Sequence, residues 1–169
     1  PAAGHALGFL RSPAGVRDAA RTGTIHRQAV EVLDLISDPT RCQVVLVTIP
    51  EETPVNELIE TSFAIEDEMG VRLGPVVVNS VLPTLAGLDA DLVSLDVSDA
   101  ERNALQTAVT FRAGRAALQD EQLTRLGAEL PLDQFRLPQL FSTTIGPDEL
   151  AVLTEALLAE IEALPEVES

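Results

Sequence analysis

The spacing of apolar residues changes several times along the chain, and each change predicts a different element. Residues 24–37 carry apolar side chains at helical spacing, which predicts an amphipathic helix. Residues 42–49 and 74–82 are continuous apolar runs rich in β-branched side chains, typical of strands that are buried on both faces of a parallel sheet. Residues 54–69 return to helical spacing, so strand, helix and strand together predict one right-handed βαβ unit.

Capping residues mark the ends of two predicted helices. Thr53 can cap the helix between the two strands, and Gly70 can end it. Ser98, with Glu101 three residues later, forms a capping box for a long helix over residues 99–127.

The remaining segments complete the predicted order of elements. Residues 1–12 predict a tight turn followed by a short helix, residues 134–140 a third strand, and residues 147–164 a final helix. The inner face of this last helix is expected to carry four apolar residues: Leu150, Leu153, Leu157 and Ile161. The fold class is therefore predicted as α/β, with a mostly parallel sheet flanked by helices in one unit over residues 1–169.

Composition excludes several classes of function. The formal net charge of −16 would repel a nucleic acid, so we expect no nucleic-acid partner. All 11 cationic residues are arginine, so the lysine of a phosphate-binding Gly-Lys-Ser/Thr loop cannot lie within these residues. Cys42 is the only cysteine, which excludes an internal disulfide and a cysteine-based zinc site. No stretch suggests a membrane span or a secretion signal, and we expect a cytoplasmic protein.

The acidic loop between the second strand and the long helix is predicted to hold no metal ion. It carries four aspartates, Asp89, Asp91, Asp96 and Asp99. The central glycine and terminal glutamate of an EF-hand loop are missing, so a solvated acidic loop is the expected structure.

Three segments with polar or looped character follow the three predicted strands. Glu51 follows the first strand, Asn79 lies near the end of the second, and residues 137–141 (Leu-Pro-Gln-Leu-Phe) end the third. Ligands of parallel α/β sheets bind beyond the carboxyl ends of the strands, so these segments are candidates for one site. The amide of Asn79 offers donors and an acceptor in one plane, as the edge of a purine requires, and the proline-containing loop offers an apolar surface against which a base can stack.

Each candidate also has a purely structural interpretation. Asn79 can cap a turn, Glu51 can cap the following helix, and Pro138 can mark an edge strand. A fourth element, Gly4-His5, lies in the predicted opening turn, where His5 can be an ordinary surface histidine.

In this order, the segments resemble the C-terminal half of the ArsA-like ATPases, most closely the shorter actinobacterial members. Residues 1–7 (Pro-Ala-Ala-Gly-His-Ala-Leu) resemble the second switch of that family. Residues 44–49 with Glu51 and Glu57 resemble its strand followed by two glutamates, and Val78-Asn79 resembles its Val-Asn strand end. The resemblance covers most of the chain.

The resemblance implies a fold and a set of roles. It implies the C-terminal part of a P-loop NTPase fold of the SIMIBI type that lacks its P-loop, with Gly4 and His5 as a remnant of the second switch. Nucleotide contacts are implied for Glu51, for Asn79 and for Pro138, Gln139 and Leu140, with no catalytic residue and no metal ligand in this part.

The resemblance also implies an activity and partners. The intact parent is expected to hydrolyse ATP with Mg²⁺, to couple hydrolysis to a conformational switch, and to form a homodimer or heterodimer with an ArsA-like subunit. A peripheral link to a membrane protein or client is expected, and these 169 residues alone are expected to be inactive. The alternative is a non-catalytic interaction module, or a degenerate partner in a heteromeric ArsA-like complex.

The sequence also departs from the family pattern. Residues 8–42 contain no methionine, unlike the client groove of the targeting ATPases, and residues 80–97 contain no Cys-x-x-Cys pair. Gly8 stands where the switch pattern ends in arginine. Client delivery and arsenite sensing are therefore not implied by these residues.

Overall fold

Local sequence signals place most helices and strands close to their expected positions. The computed structural model describes residues 2–87 and 96–164, with side chains from residue 4 onward. The elements in chain order are α1 (Ala2–Ala20), α2 (Thr24–Ser37), β1 (Val47–Thr48), α3 (Glu52–Phe63), a π-helical turn (Ala64–Glu68), β2 (Val76–Val81), α4 (Asp99–Glu129), β3 (Gln134–Pro138) and α5 (Pro147–Glu162). The helix predicted over residues 24–37 and the capping box of Ser98 and Glu101 are both confirmed.

The strands of the described residues form one parallel sheet in the order β1-β2-β3. Val47 and Thr48 of β1 pair with Val77 and Val78, and β3 pairs along the opposite side of β2. Parallel neighbours require crossover connections, which α3 and α4 provide. The predicted α/β class, with a parallel sheet flanked by helices, is confirmed.

The larger core lies between one face of the sheet and the helices α3 and α4. Val76 and Val78 of β2 point into it and are essentially fully buried, because both crossover helices pack over this face. The helices contribute the remaining buried apolar residues: Val55, Leu58, Ile59, Leu123, Leu126 and Leu130. This cluster fixes where the helices start relative to the strand ends, and therefore positions the loops beyond the sheet.

A smaller core joins α1 and α2 to the rest of the molecule. Ile65, Val71 and Leu73 are buried, and Leu7, Leu10 and Ile36 pack against them from the two N-terminal helices. Arg11 of α1 also forms an ion pair with Glu68.

The tight turn predicted at the start of the chain is wrong. Gly4 and His5 lie inside α1, which begins at Ala2 and continues past Pro13 to Ala20. The helix forms although α1 contains three glycines, and nothing lies within 4 Å of the position where a Cβ would stand on Gly4.

The first strand is shorter and less buried than its continuous apolar run predicts. Only Val47 and Thr48 form a regular ladder, preceded by an isolated bridge between Val44 and Leu73. Val45 and Val47 are 52% and 66% exposed, although burial on both faces was expected. β1 lies at an edge of the sheet, and within the described residues only the opposite face of this strand is covered.

The helix after β1 begins earlier than expected and changes its winding near its end. Glu51 is the N-cap residue and Glu52 the first helical residue, so the prediction of Thr53 as the cap is wrong. The last turn, Ala64–Glu68, is π-helical, and Gly70 ends it with a φ of 64°. The role of Gly70 is thus confirmed, because a residue without Cβ adopts this left-handed conformation at little cost.

The predicted inner face of the final helix is only partly correct. Leu150 and Ile161 are 54% and 45% exposed, whereas Leu153 and Leu157 are half-buried. No residue of α5 is fully buried, since this helix packs mainly beside β3, where the Glu160 carboxylate accepts the Arg136 amide at 3.1 Å.

The longest helix extends well beyond its packed region. α4 has 31 residues, and its buried residues are Gln119, Leu123 and Leu126, all in the C-terminal half. The spacing of these positions, followed by Leu130, is that of one helix face. Among the helices of residues 2–87 and 96–164, none has the length and apolar character needed to cross a membrane.

The packing of α4 predicts a large loss of stability on truncation of Leu126. This side chain is fully buried in the larger core, so Leu126→Ala should lower the free energy of unfolding by about 2–5 kcal/mol. Leu118→Ala, on the same helix at a residue that is 58% exposed, is the matched control and should change the free energy by less than about 1 kcal/mol. Urea denaturation measures both, and equal effects would contradict the packing described here.

Candidate functional site

The three predicted site segments meet at one edge of the sheet. Thr48 pairs with Val78, which places the residues that follow β1 beside Asn79. Val81 pairs with Pro138, and the Gln139 amide donates to the Val81 carbonyl at 2.7 Å. The carboxyl ends of all three strands therefore bring Glu51, Asn79 and residues 138–141 to the same side of the molecule.

Asn79 lies where the regular pairing of β2 breaks. Its side chain is half-buried, and its Oδ1 accepts the backbone amide of Ser80 at 2.9 Å. The pairing with β3 shifts between Val78 and Val81, and Ser80 has a φ of 61°. This left-handed conformation is uncommon for a residue other than glycine, and it marks a bulge in the strand.

Glu51 has both a structural contact and an exposed carboxylate. Its carbonyl accepts the Val55 amide at 3.0 Å as the cap of α3, but its side chain makes no capping hydrogen bond. The carboxylate instead accepts from Arg115 Nη2 at 3.2 Å, and both side chains are nearly half exposed. Such an exposed pair contributes little to stability, so it leaves Glu51 accessible for other contacts.

The loop after β3 presents a mixed surface beside Asn79. Pro138 is the last residue of β3, which lies at the other edge of the described sheet, as the edge-strand interpretation requires. Pro138, Gln139 and Leu140 are half-buried, whereas Phe141 is 71% exposed. The Arg112 guanidinium lies 5.6 Å from the centre of the Phe141 ring, within the range of a cation–π contact.

Three residues of α4 that were not predicted from the sequence join these segments. Arg115 contacts Glu51, Arg112 donates to the Pro83 carbonyl at 2.6 Å, and Gln119 contacts the backbone at the end of β2. A sequence signal for one of them exists, because Gln119 occupies the apolar face that continues through Leu123. A polar residue at a core position of a helix requires a buried partner.

Gly4 and His5 do not join this group. Both are exposed on α1, while Ala6 and Leu10 of the same helix line a cleft of about 570 Å³ that also includes Asn79. The cleft follows residues 44–49 and one side of α3, where Glu57 is the acidic lining residue. Its lining does not include Glu51 or the loop after β3, so it is a separate concavity that reaches the candidate site only at Asn79.

The described residues at this edge combine an amide, a carboxylate and an apolar loop. The Asn79 amide and the loop that begins at Pro138 follow neighbouring strands, and a flat ligand with polar edges requires such a combination of polar and apolar groups. The two arginines at this edge already contact Glu51 and the Pro83 carbonyl, and the chain has no lysine. Within the described ranges, no group of three or more His, Cys, Asp or Glu side chains could hold a metal ion; Asp89 and Asp91 lie outside those ranges.

One comparison with known proteins identifies a relative of this chain. A small parallel sheet flanked by helices is consistent with part of a P-loop NTPase-type domain. No family model matches the sequence. The chain is 27% identical over 155 residues to a protein of Halobacterium salinarum named "Putative arsenical pump-driving ATPase".

The match covers most of this chain but only a small part of the Halobacterium protein. It covers 87% of this chain and 21% of the relative, so the chain spans about a fifth of the relative's length. The similarity supports a relationship to the ArsA-like ATPases at the level of the family.

The hydrogen bonds that Glu149 makes to the loop after β3 should depend on pH. Its carboxylate accepts the Gly146 amide at 2.9 Å and the Ser142 hydroxyl at 3.1 Å. These hydrogen bonds, chiefly the one from the Gly146 amide, lower the pKa of Glu149 below its ordinary value. A lowered folded-state pKa contributes stability above the unfolded-state pKa, and this stability is lost as the pH falls through the folded-state pKa.

The amide resonance of Gly146 reports this transition directly. Its chemical shift should follow a titration whose midpoint lies below the pKa of glutamate in an unstructured peptide. In Glu149→Gln, which cannot ionise at this position, the same titration should disappear. A midpoint at or above the peptide value would contradict the described hydrogen bonds.

Proposed function

We propose that these residues form the base-binding, C-terminal part of an ArsA-like ATPase domain. The observation that carries the proposal is the convergence of Glu51, Asn79 and residues 138–140 at the carboxyl edge of a parallel sheet. This edge is where ligands of open α/β sheets bind. The relative named as an arsenical pump-driving ATPase supports nucleotide hydrolysis as the activity of the whole domain.

The open face of the sheet supports a larger domain. Val45 and Val47 are exposed on β1, and Val77 beside them on β2 is only half-buried. Parallel sheets are normally covered on both faces, because their strands are apolar on both sides. The proposal assigns this face to the part of the domain that carries the P-loop.

The residues at the site suggest which parts of the nucleotide are bound here and which are bound by the P-loop part. The proposed roles here are contact of Asn79 and residues 138–140 with adenine, and of Glu51 with the nucleotide. Phosphate and Mg²⁺ binding, together with the positioning of water, belongs to the P-loop part, since phosphoryl transfer needs a cationic cradle that these residues do not offer. The remnant switch, Gly4 and His5, is proposed to move at the N-terminal end of α1 with the state of the γ-phosphate.

The proposal also includes an oligomeric state and a location in the cell. A dimer with an ArsA-like subunit would be opened and closed by the switch. A cytoplasmic location and a peripheral link to a membrane protein or client complete the proposal.

Substitution of Asn79 tests the assigned base contact in the complete polypeptide that contains these residues. Asn79→Ala should raise the Kd for ATP by up to about tenfold, since a lost hydrogen bond costs up to about 1.5 kcal/mol. Asn103→Ala, at an exposed asparagine of α4, is the matched control and should leave the Kd unchanged. Calorimetric titration measures both.

The possible results separate the two functions. An unchanged Kd in a folded Asn79→Ala protein would leave Asn79 as a turn residue and would refute the assigned contact. A complete polypeptide that binds no ATP at all would instead favour the alternative, a non-catalytic interaction module or degenerate ArsA-like partner.

The 169-residue chain by itself should bind ADP weakly, because it has no lysine that could serve a phosphate-binding loop. Calorimetry with ADP should show no binding in the micromolar range, while the complete polypeptide should show it. Micromolar binding by the shorter chain would contradict the assignment of phosphate binding to another part of the domain.

A further inference from the structure

A single buried side chain holds the irregular end of β2 in place. Gln119 of α4 is 6% exposed and reaches the strand from the helix that packs over it. Its Nε2 donates to the Ser80 carbonyl at 3.3 Å, and its Oε1 accepts the Leu82 amide at 2.8 Å. One amide thus satisfies a backbone acceptor and a backbone donor that lie on either side of Val81.

These two hydrogen bonds satisfy backbone groups at the bulge and just beyond it. Between Val78 and Val81 the strand has one more residue than the facing segment of β3, so its ladder is interrupted there. Backbone groups left unpaired in the interior cost about 1–3 kcal/mol each, which makes a substitute partner necessary. The orientation of the amide is fixed, because a carbonyl only accepts and an N–H only donates.

The bulge in turn determines where Asn79 points. Ser80 has a φ of 61°, a conformation that costs about 1 kcal/mol or more for a residue with a Cβ. Its amide donates to Asn79 Oδ1 at 2.9 Å, so the side chain of Asn79 is tied to the same peptide unit. A relaxed, regular strand would turn the Ser80 peptide and remove this restraint on the Asn79 amide.

The geometry points to Gln119 as the positioning residue for the base contact of Asn79. This inference rests on the proposed function, because it assigns base selectivity to the Asn79 amide. Gln119 acts through the backbone of Ser80 and Leu82 and does not itself touch the nucleotide. Gln119 aligns the donor and acceptor atoms of the Asn79 amide with the edge of adenine. Loss of the Gln119 side chain should therefore reduce the preference for ATP over GTP.

The test compares affinities for ATP and GTP in the complete polypeptide. Gln119→Leu has a similar volume but neither donor nor acceptor, and it should reduce the ratio of ATP to GTP affinity about tenfold. Gln106→Leu, an exposed position of the same helix, is the control and should leave the ratio unchanged. A residue that only stabilises the fold would lower both affinities together, so the ratio is the decisive quantity.

A second variant keeps the test decisive if Gln119→Leu does not fold. Gln119→Glu retains an oxygen that can accept the Leu82 amide, but its ionised form cannot donate to the Ser80 carbonyl. The ratio should be low when this glutamate is ionised and should recover as the pH falls and the protonated carboxyl regains a donor. A ratio in the folded Glu variant that equals the wild-type value at every pH would overturn the inference.

Asn79→Ala separates a failure of this inference from a failure of the proposed function. If Asn79→Ala leaves the ratio of ATP to GTP affinity unchanged, the assigned base contact is wrong. The positioning role of Gln119 is then refuted as well. If Asn79→Ala abolishes the preference for ATP while folded Gln119→Leu keeps it, only the positioning role is refuted.

Discussion

The structure depends on the contacts that α4 makes with the carboxyl ends of the strands. Gln119 holds the bulged end of β2, Arg115 reaches the residue that caps α3, and Arg112 lies between the loops that follow β2 and β3. These contacts tie the residues that follow β1, β2 and β3 to one helix, while Glu149 of α5 also bonds to Ser142 and Gly146 in the loop after β3. The packing of Leu123 and Leu126 in the larger core fixes the position of α4 against the sheet.

The distribution of burial explains why the contacts concentrate on one side. The sheet buries Val76 and Val78 against α3 and α4, whereas Val45 and Val47 at β1 are not covered by the part of the chain that the structure describes. Apolar burial stabilises the molecule mainly through this one layer, at roughly 25 cal/mol per Å² of buried apolar surface. The carboxyl edge is consequently positioned by the helices of that layer.

Much of this architecture could be predicted from the sequence, because it depends on local patterns. The helix over residues 24–37, the box at Ser98 and the stop at Gly70 follow from spacing and capping. The neighbouring placement of the three strand-end segments follows from parallel topology. The burial of β1 and the inner face of α5 could not be predicted, since both depend on which tertiary neighbours are present. The hydrogen bond from Gln119 to Ser80 could not be predicted either, because it joins residues that are 39 positions apart in the sequence.

The position of β1 at an edge of the described sheet has a consequence for the behaviour of the chain in solution. Edge strands with apolar side chains can template intermolecular pairing, which leads to aggregation. Here the regular part of the edge strand is only two residues long, which limits the number of hydrogen bonds a second molecule could form. A formal net charge of −16 adds mutual repulsion that salt screens, so colloidal stability should fall as ionic strength rises.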